Sequence, residues 1–313
     1  MINDTTYTPD DIAKMFKISK HTVYELIKRG ELNAFKVGNK MRVNPEEVER
    51  YKNRTQAYQT KPNQPVASKP SNPIKPSLSS TVRLTGSHDF LVEQLTKYVS
   101  QHTDIQLQPT YIGSLEGLMM VYRGSADVAA VHLLDPTSKE YNIPFIKQLF
   151  VHERISVISL ASREQGFIVA KGNPKKITCF GDLTRKDVVL VNRQKGSGTR
   201  FLLDAYLAEQ EIKPNDVMGY ENEEWNHLGT ASHISRGSAD VGFGIRSAAV
   251  QLGLDFIPVT EEQFDLVFRW TSENEEELSR LHDLICSDEF KSTIAKIPGY
   301  KLKGLGEIKY KTN

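Results

Sequence analysis

Between Glu49 and Asp89 the chain carries no aspartate or glutamate. From Thr55 to Leu78, Pro62, Pro65, Pro70, Pro73 and Pro76 recur among Gln, Asn, Ser and Lys. Such a stretch buries too little apolar surface to offset the entropy of ordering it, and its prolines keep it extended. The chain must therefore fold as separate bodies on either side. The expected division is a domain at 1–54, a linker at 55–79 and a domain at 80–313. The linker reads first as a solvated spacer and nothing more, with weak, sequence-independent attraction of its lysines for DNA as the alternative.

The remaining bulk properties mainly exclude. At 313 residues there is room for more than one domain and a full-sized core. A net charge of +1 imposes no global demand for nucleic acid or membrane, although a local basic patch is compatible with it. The two cysteines, Cys179 and Cys286, lie far apart and outside any C-x-x-C pattern, so no disulfide framework, metal cluster or cofactor is expected. The first residues, MINDTTYTPDD, are polar and acidic, unlike a secretory signal. No apolar run approaches the roughly 18 residues of a membrane helix. A cytoplasmic location with no membrane partner is the expectation.

Thr8 to Lys52 reads as a compact module. Thr8 suits an N-cap and Pro9 a first helical position. Ile12, Ala13 and Phe16 share a helix face. Lys17, Ile18 and Ser19 form a short turn, and a second helix follows with Val23, Leu26 and Ile27 inward, ending at Gly30. Two helices joined this way are a helix-turn-helix, whose second helix enters the major groove. The start of that helix carries Lys20, His21, Thr22 and Tyr24, and its later turn Lys28, all suited to phosphate or base-edge contacts. Two alternating runs then flank a Gly38-Asn39-Lys40 turn, a β-hairpin carrying Lys36, Lys40 and Arg42 like a DNA-touching wing. The stretch YTPDDIAKMFKISKHTVYELIKRGELNAFKVGNKMRVNPEEVERY resembles the excisionase-like branch of the MerR-type winged helix-turn-helix family. The resemblance implies binding of double-stranded DNA. Residues 1–60 hold eleven Lys/Arg against eight Asp/Glu, so one copy should bind modestly and two usefully. A homodimer is therefore expected.

Beyond the linker, apolar runs alternate with helical patterns. Strands are expected at Thr81–Thr85, Ile105–Tyr111 and Asp127–Val131, and helices at Phe90–Ser100 and Leu115–Arg123. This is α/β with a mainly parallel sheet. Two further strands, Arg154–Leu160 and Gly166–Ala170, surround Ser162 to Gln165. Leu254–Pro258 and Leu266–Trp270 look like strands returning to a first lobe after a second has been built. A lobe interrupted by another implies a cleft between them. Within the second set, NRQKGSGTR at Asn192–Arg200 follows an apolar strand and opens a helix. Helix-start amides and dipole favour an anion there. Gly196 and Gly198 allow close approach, Ser197 and Thr199 add hydroxyls, and Arg193, Lys195 and Arg200 add charge. The spacing is not that of a Walker A loop. Ser87 and Ser114 stand at two other helix starts beyond strand ends, where ligands of open α/β sheets bind.

The segments AVHLLDPTSKEYN, REQGFIVAKGNPKKI, NRQKGSGTRFLLD and RGSADVGFGIRSAA resemble the periplasmic-binding-protein-like domain of bacterial regulators. Its relatives are type 2 solute-binding proteins, including those for molybdate and tungstate. The resemblance spans Val82 to Leu302. It implies a multidomain chain: a small α-rich winged helix-turn-helix plus a two-lobed α/β type 2 periplasmic-binding-protein-like domain. It suggests Ser87 and Ser114 as first-lobe donors and Ser197, Gly198 and Thr199 as second-lobe donors. Where family members often carry Thr-His, this chain has Asn226-His227, and His88 beside Ser87 alters the pocket relative to a pure oxyanion binder.

Other residues carry competing readings. His132 near an apolar strand reads more readily as a satisfied core residue, with Asp135 a cleft candidate beside it. Arg163 and Glu164 at the crossover read equally as an ion pair with each other or as ligand contacts. Asp240 reads as a loop-orienting group. No nucleophile–base constellation, H-E-x-x-H or paired-carboxylate signature is present, so catalysis is not expected. The reading is a ligand-responsive DNA-binding transcriptional regulator sensing a small anion. Molybdate or tungstate is the first choice. A small organic anion or metabolite paired by Arg193 or Arg200 is the alternative, and an excisionase-like architectural protein is a third reading.

Overall fold

The structure is a computed structural model describing residues 6–16, 20, 23, 27, 32, 34–37, 40–45, 47–48, 51 and 80–312, with backbone alone at 35–37 and 40. The chain divides into two compact units, 1–75 and 76–313.

In the first unit, helix α1 (Pro9–Phe16) starts where Thr8 caps it. Thr8 Oγ1 accepts from the Asp11 amide at 3.2 Å, and the Asp11 carboxylate accepts from the Thr8 amide at 2.9 Å. This reciprocal pairing satisfies amides that a helix start leaves open. Strands β1 (Phe35–Val37) and β2 (Lys40–Arg42) pair antiparallel with Val37 opposite Lys40. The pairing thus takes in Lys40, which the sequence had placed in the turn. Ile12, Val23, Leu32, Val43 and Val48 are fully buried together, with Tyr7, Phe16 and Ile27 packed against them. Lys20 lies in helical backbone and pairs with Asp10 at 2.7 Å, both exposed. Arg42 is half-buried in β2. The expected DNA contacts His21, Thr22, Tyr24 and Lys28 lie outside the described residues.

The second unit is built on two sixteen-residue strands, β6 (Arg154–Val169) and β10 (Asp255–Trp270). They pair antiparallel from end to end, with register shifts between Pro258 and Thr260 and between Phe264 and Asp265. Each strand therefore belongs to both lobes. The first lobe adds β3 (Thr81–Gly86), β4 (Gln106–Tyr111) and β5 (Val128–Val131), with β3 parallel to both neighbours and β5 antiparallel to the far half of β10. Helices α2 (Phe90–His102) and α3 (Ser114–Tyr122) cover this set. The second lobe adds β7 (Leu190–Arg193), β8 (Glu223–Glu224) and β9 (Val241–Ile245), with β9 antiparallel to the last residues of β6, Gln165–Val169. Helices α5 (Gly198–Glu209) and α6 (His227–Ser235) lie on this lobe, and α4 (Ile143–Leu149) on the first. After β10, α7 (Glu275–Cys286) and α8 (Asp288–Ile294) return to the first-lobe core through Leu278, Leu281, Ile285, Phe290 and Ile294.

Two expectations change. Arg154–Leu160 and Gly166–Ala170 are one strand, and so are Leu254–Pro258 and Leu266–Trp270. The polar residues between the expected pieces do not break the ladder, because each is matched across it: Arg163 stands opposite Glu262 and Ser162 opposite Gln263. Only the later half of β10 returns to the first lobe, since Asp255–Pro258 pair with Gly166–Val169 in the second. The sheet is accordingly mixed: parallel triplets on each side of an antiparallel crossover.

Candidate anion site between the lobes

Three loops from two lobes meet. Strand β3 ends at Gly86 with φ 112°, and a Cβ there would lie 2.2 Å from the Ala130 carbonyl oxygen. Gly117 of α3 sits so close to Gly86 that its Cβ would fall 2.4 Å from the Gly86 Cα. Only glycine permits this stacking of helix on strand end. It brings Ser87 Oγ to 2.7 Å from Ser114 Oγ, and Ser114 Oγ accepts from the His132 amide at 3.2 Å. Across the gap, Ser197 caps α5 by accepting from the Arg200 amide. The Leu115 amide donates to the Gly196 carbonyl at 3.1 Å, a backbone bond between lobes. A Cβ on Gly198 would sit 2.3 Å from the His132 carbonyl oxygen. The lobes therefore touch through glycine backbone, and the serine-bearing helix starts face one another.

Behind them lies a buried charge network carried by the crossover. The Arg163 guanidinium pairs with both Asp89 and Glu262 and lies 4.2 Å over the Phe264 ring. Glu262 also pairs with His132 Nδ1 at 2.9 Å and accepts from Gln165 Nε2 at 2.8 Å. Gln165 Nε2 reaches Thr199 Oγ1 at 3.1 Å, and Tyr300 donates to Asp89 at 2.8 Å. Burial alone would raise the Glu262 carboxyl, but Arg163 and then His132 outweigh it and hold it at about 2. Burial pushes His132 down against the pull of Glu262.

On the second-lobe side, Arg193 is buried and anchored by donating to the carbonyls of Glu224 at 3.2 Å and Trp225 at 2.9 Å. Burial, followed by the Arg163 charge, pushes its guanidinium down to about 9. His227 opens α6 after Asn226, whose side chain caps the helix by accepting from the Gly229 amide at 2.7 Å. Burial, then Arg193, Arg163, His132 and His88, push His227 well below the ordinary histidine range.

Buried polar atoms without partners are rare in folded proteins. Among the described residues seven side-chain atoms are in that state, and six belong to this cluster: Arg163 Nη2, Gln165 Oε1, Arg193 Nη1, Gln194 Oε1 and both nitrogens of His227. The residues expected from sequence divide accordingly. Ser87, Ser114, Arg193, Ser197, Gly198, Thr199 and His227 come together. His88 stands at the rim, bonded to Glu93 at 2.7 Å, beside a cavity of about 360 Å³ lined by Phe90, Asn226 and Leu228. Arg200 is placed otherwise: its guanidinium is engaged by Asp204 at 3.1 Å and Glu223 at 2.9 Å, lies over Tyr220, and braces the Arg193 carbonyl from behind. It is an ion-paired brace, not an open ligand contact. Arg163 and Glu164 do not pair with each other, since successive strand residues point to opposite faces. Glu164 pairs with Arg246. Asp135 accepts within its own turn from Thr137 and Ser138, and Asp240 orients a loop by accepting from the Val189 amide. Arg163 joins the cluster as one of its two sequence readings allowed, while Gln165, Gln194, Glu262 and the ion-paired state of His132 went unread. Each sits mid-strand or in a loop, and only cross-strand register assembles them.

The description "PBP superfamily domain" matches residues 95–285, and "helix-turn-helix domain" matches residues 6–56. The chain is 35% identical over 312 residues to the uncharacterized protein YvgK of Bacillus subtilis (strain 168), covering 98% of this chain and 99% of that one. Among solved structures, it resembles a putative phosphate ABC transporter substrate-binding protein with bound phosphate from Clostridium perfringens. That likeness has a TM-score of 0.52 at 20% identity, covering 71% of this chain and 99% of that one. The sulfate-binding protein SubI from Mycobacterium tuberculosis H37Rv is similar at TM-score 0.51 and 16% identity, covering 71% and 86%. At these identities the structures speak for the fold. The chain belongs to the PBP superfamily, with its two-lobed domain carried behind a helix-turn-helix domain.

Proposed function

We propose that this protein is a ligand-responsive DNA-binding transcriptional regulator whose cleft holds a small anion and performs no catalysis. The observation that supports this reading is the group of buried, unpartnered polar atoms at Arg193, Arg163 and His227, enclosed by helix starts from both lobes. Two buried guanidinium donors and three helix N-termini favour negative charge. The convergence weighs against a purely architectural DNA-binding role, which needs no such cluster. Molybdate or tungstate suits the hydroxyl and amide donors, whereas the unpartnered edge of Arg193 inside the cluster suits a carboxylate or another oxyanion that accepts from a guanidinium.

The mechanism proposed is that ligand holds the lobes closed and thereby changes how the helix-turn-helix units of a dimer reach DNA. A ligand shifts an equilibrium only by its differential affinity for the two states. Calorimetry of the full chain against molybdate, tungstate and small organic anions tests binding. A mobility-shift titration with and without saturating anion tests coupling. Unchanged DNA affinity at saturation would remove the coupling, and heatless titrations throughout would remove the sensor.

A further inference from the structure

We infer that the anion taken by this cleft also carries a hydrogen-bond donor, as a monoprotonated oxyanion or a hydroxy acid does. A fully ionised oxyanion such as molybdate, tungstate or sulfate does not. The inference rests on the anion-site reading and deepens it.

The cluster presents unmatched groups of both kinds. Arg193 Nη1 and Arg163 Nη2 are donors only. Gln165 Oε1 and Gln194 Oε1 are acceptors only. None of these residues is more than 6% exposed.

The Gln165 amide cannot turn to exchange its ends. Its Nε2 donates to Glu262 Oε1 at 2.8 Å, and that carboxylate, gripped by Arg163, only accepts. Turning the amide would set oxygen against oxygen. Its Oε1 is thus a fixed acceptor beside the first turn of α5, where Thr199 holds the other bond of Nε2. Gln194 lies at the seam between lobes, its Nε2 3.3 Å from where a Gly113 Cβ would be. His227 is buried among cations, so it stays neutral, with one nitrogen donating and the other accepting.

A bare tetrahedral oxyanion has lone pairs alone. It can satisfy the guanidinium edges and one nitrogen of His227. Against Gln165 Oε1 and the other His227 nitrogen it would place oxygen on lone pair. Sites built to hydrogen-bond a substrate hydroxyl reject analogues lacking it by several orders of magnitude. A ligand with an anionic oxygen for the arginines and an O–H for Gln165 or His227 leaves neither kind unmatched.

The test is calorimetry on the full chain with two matched pairs at constant ionic strength near pH 7: inorganic phosphate against sulfate, and lactate against propionate, with molybdate as a fifth titrant. Within at least one pair the donor-bearing member should bind at least tenfold tighter, and it should also outbind molybdate. Sulfate or molybdate binding as tightly as phosphate, with propionate matching lactate, overturns the donor requirement and leaves the anion sensor standing. Binding of none of the five overturns both. Gln194→Met, which keeps the Arg163–Glu262 network intact, should shrink the preference several-fold. Gln165→Met, checked for folding by its melting temperature, should do the same. Preferences unchanged in both variants would also overturn the inference.

Discussion

Arg163 shows how much one side chain organises here. It is fully buried between Asp89, which caps a first-lobe helix, and Glu262 of the other crossover strand. Removing one partner of such a pair leaves an uncompensated buried charge, typically worth about 3–5 kcal/mol. The pH dependence follows from Glu262. Its folded-state pKa of about 2 lies below its ordinary value of 4.5, so its stabilisation is fully present above about pH 4.5 and is lost as pH falls toward 2. His227, pushed below its ordinary value of 6.5, acts in the same direction, because the folded protein must charge it in acid. Thermal unfolding followed from pH 7 to 3 should show melting temperature falling most steeply below about 4.5. Glu262→Gln should be less stable at pH 7 but lose less on acidification. An equal acid loss in both proteins would show that Glu262 is not the titrating group. None of this was legible residue by residue. Arg163 was noticed at the crossover, but its nearest charged neighbour in sequence, Glu164, faces the other side of the strand and pairs with Arg246.

At the scale of elements, the helix starts were readable and the crossover was not. A strand, a glycine-serine loop and an amphipathic run announce a helix N-terminus locally, and α3 and α5 begin within a residue or a few of the expected positions. The break expected inside β6 and β10 came from reading polar residues as loop. Burial of matched polar partners on two facing strands leaves the same local pattern as a turn. The glycines at the seam decide whether the two lobes can meet. Gly198→Ala would put a methyl carbon 2.3 Å from a backbone carbonyl oxygen of the opposite lobe, which cannot swing aside as a side chain would. We expect this variant to keep its melting temperature within a few degrees while losing at least tenfold in anion affinity by calorimetry. Wild-type affinity would show that close approach at this point is not needed for binding.

For the whole molecule, two folding units in one chain make the proposed sensing role a matter of coupling and assembly. A single mildly basic helix-turn-helix domain binds weakly, and two linked copies gain through effective concentration. Sedimentation of the full chain on an operator-containing duplex is expected to give two protein chains per duplex. One chain per duplex, with monomer alone in the absence of DNA, would remove the dimer from the mechanism. Among the described residues no helix is long and apolar enough to cross a membrane.

The chain's own order of residues determined the division into two bodies, the helix-turn-helix with its hairpin, and the helix starts that face the cleft. Each of these is written in contiguous residues: proline spacing, helical and alternating periodicity, and glycine beside serine. The tertiary structure alone decided which charges meet. Asp89, His132, Arg163, Gln165, Arg193, His227 and Glu262 are scattered along the chain, and strand register and lobe contact bring them together. Their burial, their ionisation and the donors and acceptors left unmatched are properties of that packing, because desolvation and pairing arise only when distant segments exclude water from one another.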